Sequence, residues 1–194
     1  LTSPELKFDS KATAQGKRLQ IRAGRNPDSV RNVDLALRGD QITFSETFLN
    51  RNLNVQWRDI RLLDLNTTVT GLPDDMATAM LVSQWRDGGG TVEVRQLRLQ
   101  WGEVDITAKG SLALDERMRL IGALTAQIKG YEKLIDLAVA TGDLTDGGVV
   151  ATRAVLGLLA AAGGGILSVP VRLQDGQLFL GPAVIAKLQP LPLD

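Results

Sequence analysis

Residues 97–104 read Leu97-Arg98-Leu99-Gln100-Trp101-Gly102-Glu103-Val104, and the same cadence returns at 53–60 as LNVQWRDI and at 172–180 as RLQDGQLFL. Within 102–115 the even positions Val104, Ile106, Ala108, Leu112 and Leu114 are apolar. The odd positions Glu103, Asp105, Thr107, Lys109, Ser111 and Asp115 are polar. Alternation with a period of two marks a strand with one buried face. Leu97, Leu99 and Trp101 have the opposite parity, so the phase flips across Trp101-Gly102-Glu103, which predicts a hairpin corner at the glycine. A second corner at Asp115-Glu116-Arg117, followed by Leu120, Leu124 and Ile128 on one face, completes a three-stranded meander.

The third copy places Asp175-Gly176 between Val171/Leu173 and Leu178/Leu180, a strong hairpin signal. Leu35 to Phe44 is a fainter relative, with Gly39-Asp40 expected at its turn. The copy at Leu53 lacks the glycine and carries only the alternation. The spacings between copies are unequal, so the chain is no fixed-period solenoid. Leu1 to Gly16 is polar and poorly patterned apart from Leu6 and Phe8, as an edge strand or a frayed end would be.

Helices interrupt the strands twice. Pro73-Asp74-Asp75 opens one, Met76 to Trp85 carries its apolar residues, and Arg86 with Gly88-Gly89-Gly90 supplies a basic last turn and a stop. The second region begins near Tyr131, breaks at Gly142 to Gly148 and resumes from Val149 to Ala162 before Gly163-Gly164-Gly165. That last segment is apolar all round, so burial by the sheet and a neighbour, or by something outside the chain, is expected. Strands, helix, strands, paired helices and hairpin place the chain in the α+β class: an antiparallel sheet built from hairpins and meanders, with helices packed on one face. It reads as one domain over 1–194, in which two related β-rich halves, about 17–90 and 91–194, can be drawn.

Composition narrows the function. The chain has 194 residues, of which 22 are Lys or Arg and 22 are Asp or Glu, so no net field attracts nucleic acid. It has no Cys and no His. Imidazole proton shuttles, Cys nucleophiles and the usual zinc ligand sets are thereby removed. Paired carboxylates are the remaining enzymatic option. The closest are Asp74/Asp75, Glu103/Asp105 and Asp115/Glu116, with Glu103 and Asp105 expected on one face of a strand, and the solvated faces and corners of a sheet account for all three.

Asp143-Leu-Thr-Asp146-Gly147-Gly148 lacks the ligand alternation of a calcium loop, and the glycine triplets lack the Lys-Ser/Thr ending of a phosphate loop. Arg38-Gly39-Asp40 matches a cell-adhesion tripeptide that the expected corner explains as well. No catalytic residue, metal ligand or cofactor is assigned, and the chain reads as no enzyme.

Trp57 and Trp101 hold matching positions in the repeated phrase. Two readings stand: rings that plug the core beside a turn, or rings in a partly apolar trough on the sheet face away from the helices, touching an acyl chain. In the second, Trp57, Leu97, Leu99 and Trp101 are the lipid contacts.

Gly110-Ser-Leu-Ala-Leu-Asp115, Leu120-Ile-Gly122, Ile128-Lys-Gly130 and Leu173-Gln-Asp-Gly-Gln-Leu178 form a cadence that resembles the AsmA-like bacterial envelope proteins. It is most similar to an alphaproteobacterial family of that style known only as a domain of unknown function. The resemblance covers about Leu97 to Leu191 and carries no active-site residue. It implies a non-enzymatic periplasmic domain of a protein held in the inner membrane by an N-terminal segment absent from this chain. The ligand it implies is phospholipid or another acyl-chain molecule, bound or guided along an apolar sheet face. The alternative is a structural or adaptor module whose apolar helix Val149 to Ala162 docks on another envelope protein.

Overall fold

The computed structural model describes residues 5–9, 12–27, 29–44, 59–73, 81–140, 142, 144 and 146–191. Ten strands follow one another as neighbours in one antiparallel sheet: β1 Glu5–Asp9, β2 Ala12–Arg25, β3 Val33–Phe44, β4 Asp59–Thr70, β5 Thr91–Trp101, β6 Val104–Leu114, β7 Leu120–Lys129, β8 Leu167–Gln174, β9 Gln177–Leu180 and β10 Ala183–Lys187. Helix α1, Leu81–Asp87, lies between β4 and β5, while α2, Tyr131–Ala140, and α3, Asp146–Ala162, lie between β7 and β8. The molecule is mainly β, and the α+β class holds in the sense that three helices accompany a dominant sheet.

Three of the four predicted corners are present. Gly102 turns with φ 56° and lets Trp101 pair with Val104. At the next corner the carboxylate of Asp115 accepts the N–H groups of Arg117 and Arg119, at 2.8 and 2.9 Å. Asp175 and Gly176 both have positive φ, 52° and 71°, the conformation that matches the twist of a two-residue hairpin. The N-terminal strand β1 is an edge strand, as its patterning suggested.

Gly39-Asp40 is not a turn. Strand β3 passes straight through it, and a Cβ at 39 would lie 2.4 Å from Ile42 Cδ1. The glycine is therefore a seat for the Ile42 side chain. Gln41, with φ 52°, rotates the backbone so that Ile42 falls on the same face as Gly39. Asp40 faces Arg18 and Arg38 at 3.9 and 3.7 Å, so this Arg-Gly-Asp sits within a strand.

A crease crosses the middle of the sheet. The pairing of β5 with β6 slips between Val94 and Leu97, and Val94 is paired with Gly110, φ 152°. On β7, Gly122 has φ 139°. A Cβ at 110 would meet Ala123 O at 2.2 Å, and one at 122 would meet Ser111 O at 2.3 Å. Bulges and strand glycines in such conformations are how a sheet coils.

The main core lies beyond this crease. Tyr131, Ile135 and Ala138 of α2 and Thr152, Leu156 and Ala160 of α3 are buried, each set spaced along one helix face. Tyr131, Ile135, Leu156 and Ala160 form one cluster with Val104, Ala108, Ala126, Ile128, Leu167, Val169 and Leu180 of the sheet. At the opposite end of the strands, α1 covers Val92, Leu112, Leu114 and Leu120, which register places on the same sheet face. Thus all three helices share one face.

Helices α1 and α3 end alike. Gly89 and Gly164 have positive φ, and the following glycines bond back to Trp85 O and Ala160 O at 2.8 Å, a double closure of the last turn. Helix α3 begins at Asp146, three residues before the predicted Val149, and only one of its sides is buried within the chain. Of the first predicted helix, 74–80 lie outside the described residues.

The two kinds of glycine separate in a stability measurement. Gly110→Ala adds a clash with backbone to a strained φ and is expected to lower unfolding free energy by roughly 3 kcal/mol or more. Gly102→Ala meets nothing within 4 Å and carries only the φ penalty, about 1 kcal/mol. Denaturant titration of both variants checks the order.

Candidate functional site

Strict alternation over so many aligned strands makes two chemically opposite faces. On one, Asp34 accepts a hydrogen bond from Thr68 Oγ1 at 2.7 Å and from Asn26 Nδ2 at 3.0 Å, and pairs with Arg95 at 3.1 Å. Arg38 reaches Asp64 at 3.4 Å, Gln100 donates to Asp105 at 3.0 Å, and Ser111 donates to Glu93 at 2.8 Å. Further along, the Arg172 guanidinium lies 5.2 Å from the Phe179 ring centre. This face is a lattice of charges and amides. An apolar trough on the side away from the helices is therefore ruled out by what occupies it.

The apolar rows that run across the sheet lie on the helix side. Residues directly opposite in an antiparallel pair share a face, so Trp101 joins Val104, Leu99 joins Ile106 and Leu97 joins Ala108. The predicted contacts Leu97, Leu99 and Trp101 do belong together, but beside the helices, and Leu97 packs on the helical core. Trp57 lies outside the described residues.

Register extends these positions into rows across the sheet. One row runs Ile21, Leu37, Leu65, Leu97, Ala108, Ala126, Val169, a residue from each of seven strands. Its neighbour runs Leu19, Gly39, Leu63, Leu99, Ile106, Ile128, Leu167. Six inter-strand steps make each row about 29 Å long. Cover fades along it. Val169, Ala126 and Ala108 are buried, Leu97, Leu65 and Leu37 half-buried, and Ile21 is 65% exposed, beside Leu35 at 36%.

A cavity of 410 Å³ lies on the same face under α1, lined by Val69, Leu72, Val82, Trp85, Val92, Leu112, Ala113, Leu114, Leu120 and Leu191. Trp85 is buried, and its Nε1 donates to Thr70 O at 2.7 Å, so the one polar atom of the ring is satisfied by backbone. A Cβ at Gly90 would fall 2.1 Å from that nitrogen, so the indole rests on a position that only glycine leaves open. Arg86 ties the helix to the β6–β7 corner through Glu116 O and Met118 Sδ, both at 3.3 Å. Leu72 and Leu191 are fixed by backbone bonds to Arg31 O and Met118 O, each 2.9 Å.

Sequence reading did not pick out this cavity. The signal available was Trp85 just ahead of a glycine triplet, which was used only as a helix stop.

The two described carboxylate pairs are not brought together as pairs on one strand face. Glu103 lies in the turn, 3.8 Å from Lys133, rather than on the strand with Asp105. Asp115 is held by Arg119 at 2.7 Å, and Glu116 is exposed. Asp74, Asp75 and Asp143 lie outside the described residues. Among the described residues no helix is long and apolar enough to cross a membrane.

The model of the family described as "Uncharacterized protein conserved in bacteria (DUF2125)" matches residues 2–189, nearly the whole chain, and the chain belongs to that family. No curated protein and no solved structure matches it.

The polar lattice predicts a response to acid. The Thr68 hydroxyl, then Asn26, and behind them Arg95 hold the Asp34 carboxyl below its ordinary 3.8 against the opposing effect of desolvation. At Asp115 desolvation pushes upward, and the N–H and guanidinium of Arg119 with the N–H of Arg117 overcome it, again leaving the group below 3.8. Both carboxylates bind protons more readily in the unfolded chain. Their stabilisation is complete above the ordinary value and is lost as pH falls through the lowered folded-state values. Urea midpoints measured from pH 5 downward are expected to fall less steeply in Asp34→Asn and Asp115→Asn than in the native protein.

Proposed function

We propose that the chain is a non-enzymatic, lipid-holding module that binds or guides an acyl-chain molecule along the apolar face of its sheet. The observation that carries this reading is the seven-strand apolar row whose cover fades from buried Val169 to exposed Ile21. Contiguous apolar surface left open in a folded chain marks a ligand or partner site. The row's less covered part, from half-buried Leu97 to exposed Ile21, spans three inter-strand steps or about 14 Å, close to the reach of one acyl chain, taken as about half of a 30 Å hydrocarbon core. The charge-laced opposite face gives the sheet a solvated back. Membership of a bacterial family is compatible with the finer reading drawn from the AsmA-like cadence, a periplasmic domain held at the inner membrane by a segment before Leu1.

A second reading has its own observation. On α3, Val150 is 73% and Leu158 75% exposed, with Val155 and Leu159 also open, so this helix turns an apolar side outward. An adaptor module docking on another envelope protein would use that side.

Native mass spectrometry of protein purified from its own cells separates the two. The first predicts phospholipid retained with the chain, and a several-fold loss of it in Ile21→Asn without a lower melting temperature, since Ile21 contributes little buried area. Lipid-free spectra together with a stable protein complex that Leu158→Glu dissolves would favour the second.

A further inference from the structure

We infer that the cavity under α1 receives the methyl end of a single unbranched hydrocarbon chain; the inference rests on the lipid reading above and names where the chain ends. At 410 Å³ the cavity is about two and a half times the 150 Å³ space that accommodates benzene, room for on the order of fifteen carbons. One acyl tail fills that volume.

Its chemistry admits only the tail. Val69, Leu72, Val92, Leu112 and Leu120 offer no polar side-chain atom, and the Trp85 N–H is already bonded to Thr70 O. Guanidinium groups nearby make bonds of their own, and none lines the cavity. Arg31 donates to Leu72 O at 3.0 Å, Arg86 to Asp87 at 2.7 Å and Arg119 to Asp115 at 2.8 Å. A carboxylate or phosphate carried inward would lose its water and gain no partner, at a large cost. The chain therefore enters methyl first, with its head outside.

The site is also built to stay open. Trp85 cannot swing into the space while it bonds Thr70 O and rests on Gly90, and α1 is closed at its C-terminal end by the paired bonds of Gly89 and Gly90. Val69 and Val92 continue on the same face into the rows described above. Cavity and open sheet region thus share one face of the sheet, with buried Thr67 and Val94 between them.

The test uses delipidated full-length protein and hexadecanoate. Intermolecular NOEs from the terminal methyl of the bound acid to the methyls of Val92, Leu112 and Leu120 are expected, stronger than any from its C2 methylene at the mouth. Val92→Phe and Leu120→Phe, which fill the space, are each expected to weaken binding tenfold or more, with circular dichroism reporting the fold. If hexadecanoate binds but its terminal methyl contacts Ile21 and Leu35 instead, the cavity assignment is overturned and the lipid reading survives. If hexadecanoate does not bind, the assignment is again overturned. The lipid reading then falls with it only where protein from cells also carries no phospholipid.

Discussion

The structure depends on one constraint: register that keeps like faces together across strand after strand. A slip of one residue on any strand exchanges its apolar and polar sides, yet the rows beginning at Ile21 and Leu19 cross seven strands without interruption. They hold because each local irregularity is matched. The slip in β5 between Val94 and Leu97 shifts the apolar parity from even to odd, and the hairpin at Gly102-Glu103 returns it to even on β6. Gln41, with its positive φ, brings Ile42 back to the face of Gly39. Two faces of opposite chemistry follow from this.

A sheet with one apolar face must cover it, and the chain does so unevenly. Of the nine connections between consecutive strands, the structure describes helices in two. The pair α2 and α3 buries the middle and C-terminal strands, and α1 covers one end of β5 to β7. Over β2 and β3 the described residues supply no helix, and Ile21 and Leu35 stay exposed. The site reading arises from this mismatch between apolar area and helical cover, which needs no reactive side chain.

Much of the C-terminal half was legible. Two-residue corners with glycine, flanked by alternation, have few other solutions, so the hairpins at Gly102 and Gly176 and the corner at Asp115 appear where expected. Gly39-Asp40 misled because a glycine that seats a neighbour's side chain is written like one that turns the chain. What distinguishes it is three-dimensional, the 2.4 Å approach of Ile42. The side on which Trp101 lies could have been deduced. A two-residue hairpin pairs Trp101 with Val104, and Val104 was already read as facing the core. The parity change between Val94 and Leu97 was likewise written in the chain, although its cause, a bulge, needs the partner strand to be seen. Asp34 was invisible as a hub, since its partners Asn26, Thr68 and Arg95 come from different parts of the sequence.

The polar face explains why so apolar a surface can be left partly open. An exposed apolar edge invites strand addition and aggregation, and charged groups are the usual protection. Here the opposite face carries Arg18, Arg38, Asp40 and Asp64 in one linked group, so any second sheet stacked back to back would bury charges at a cost. Stacking on the apolar side is limited by the helices that stand on it. Among the described residues, Ile21 and Leu35 stay exposed in the strip between those helices and the β1 edge. A flexible chain can lie in such a strip where a rigid, flat protein surface would strike the helices first.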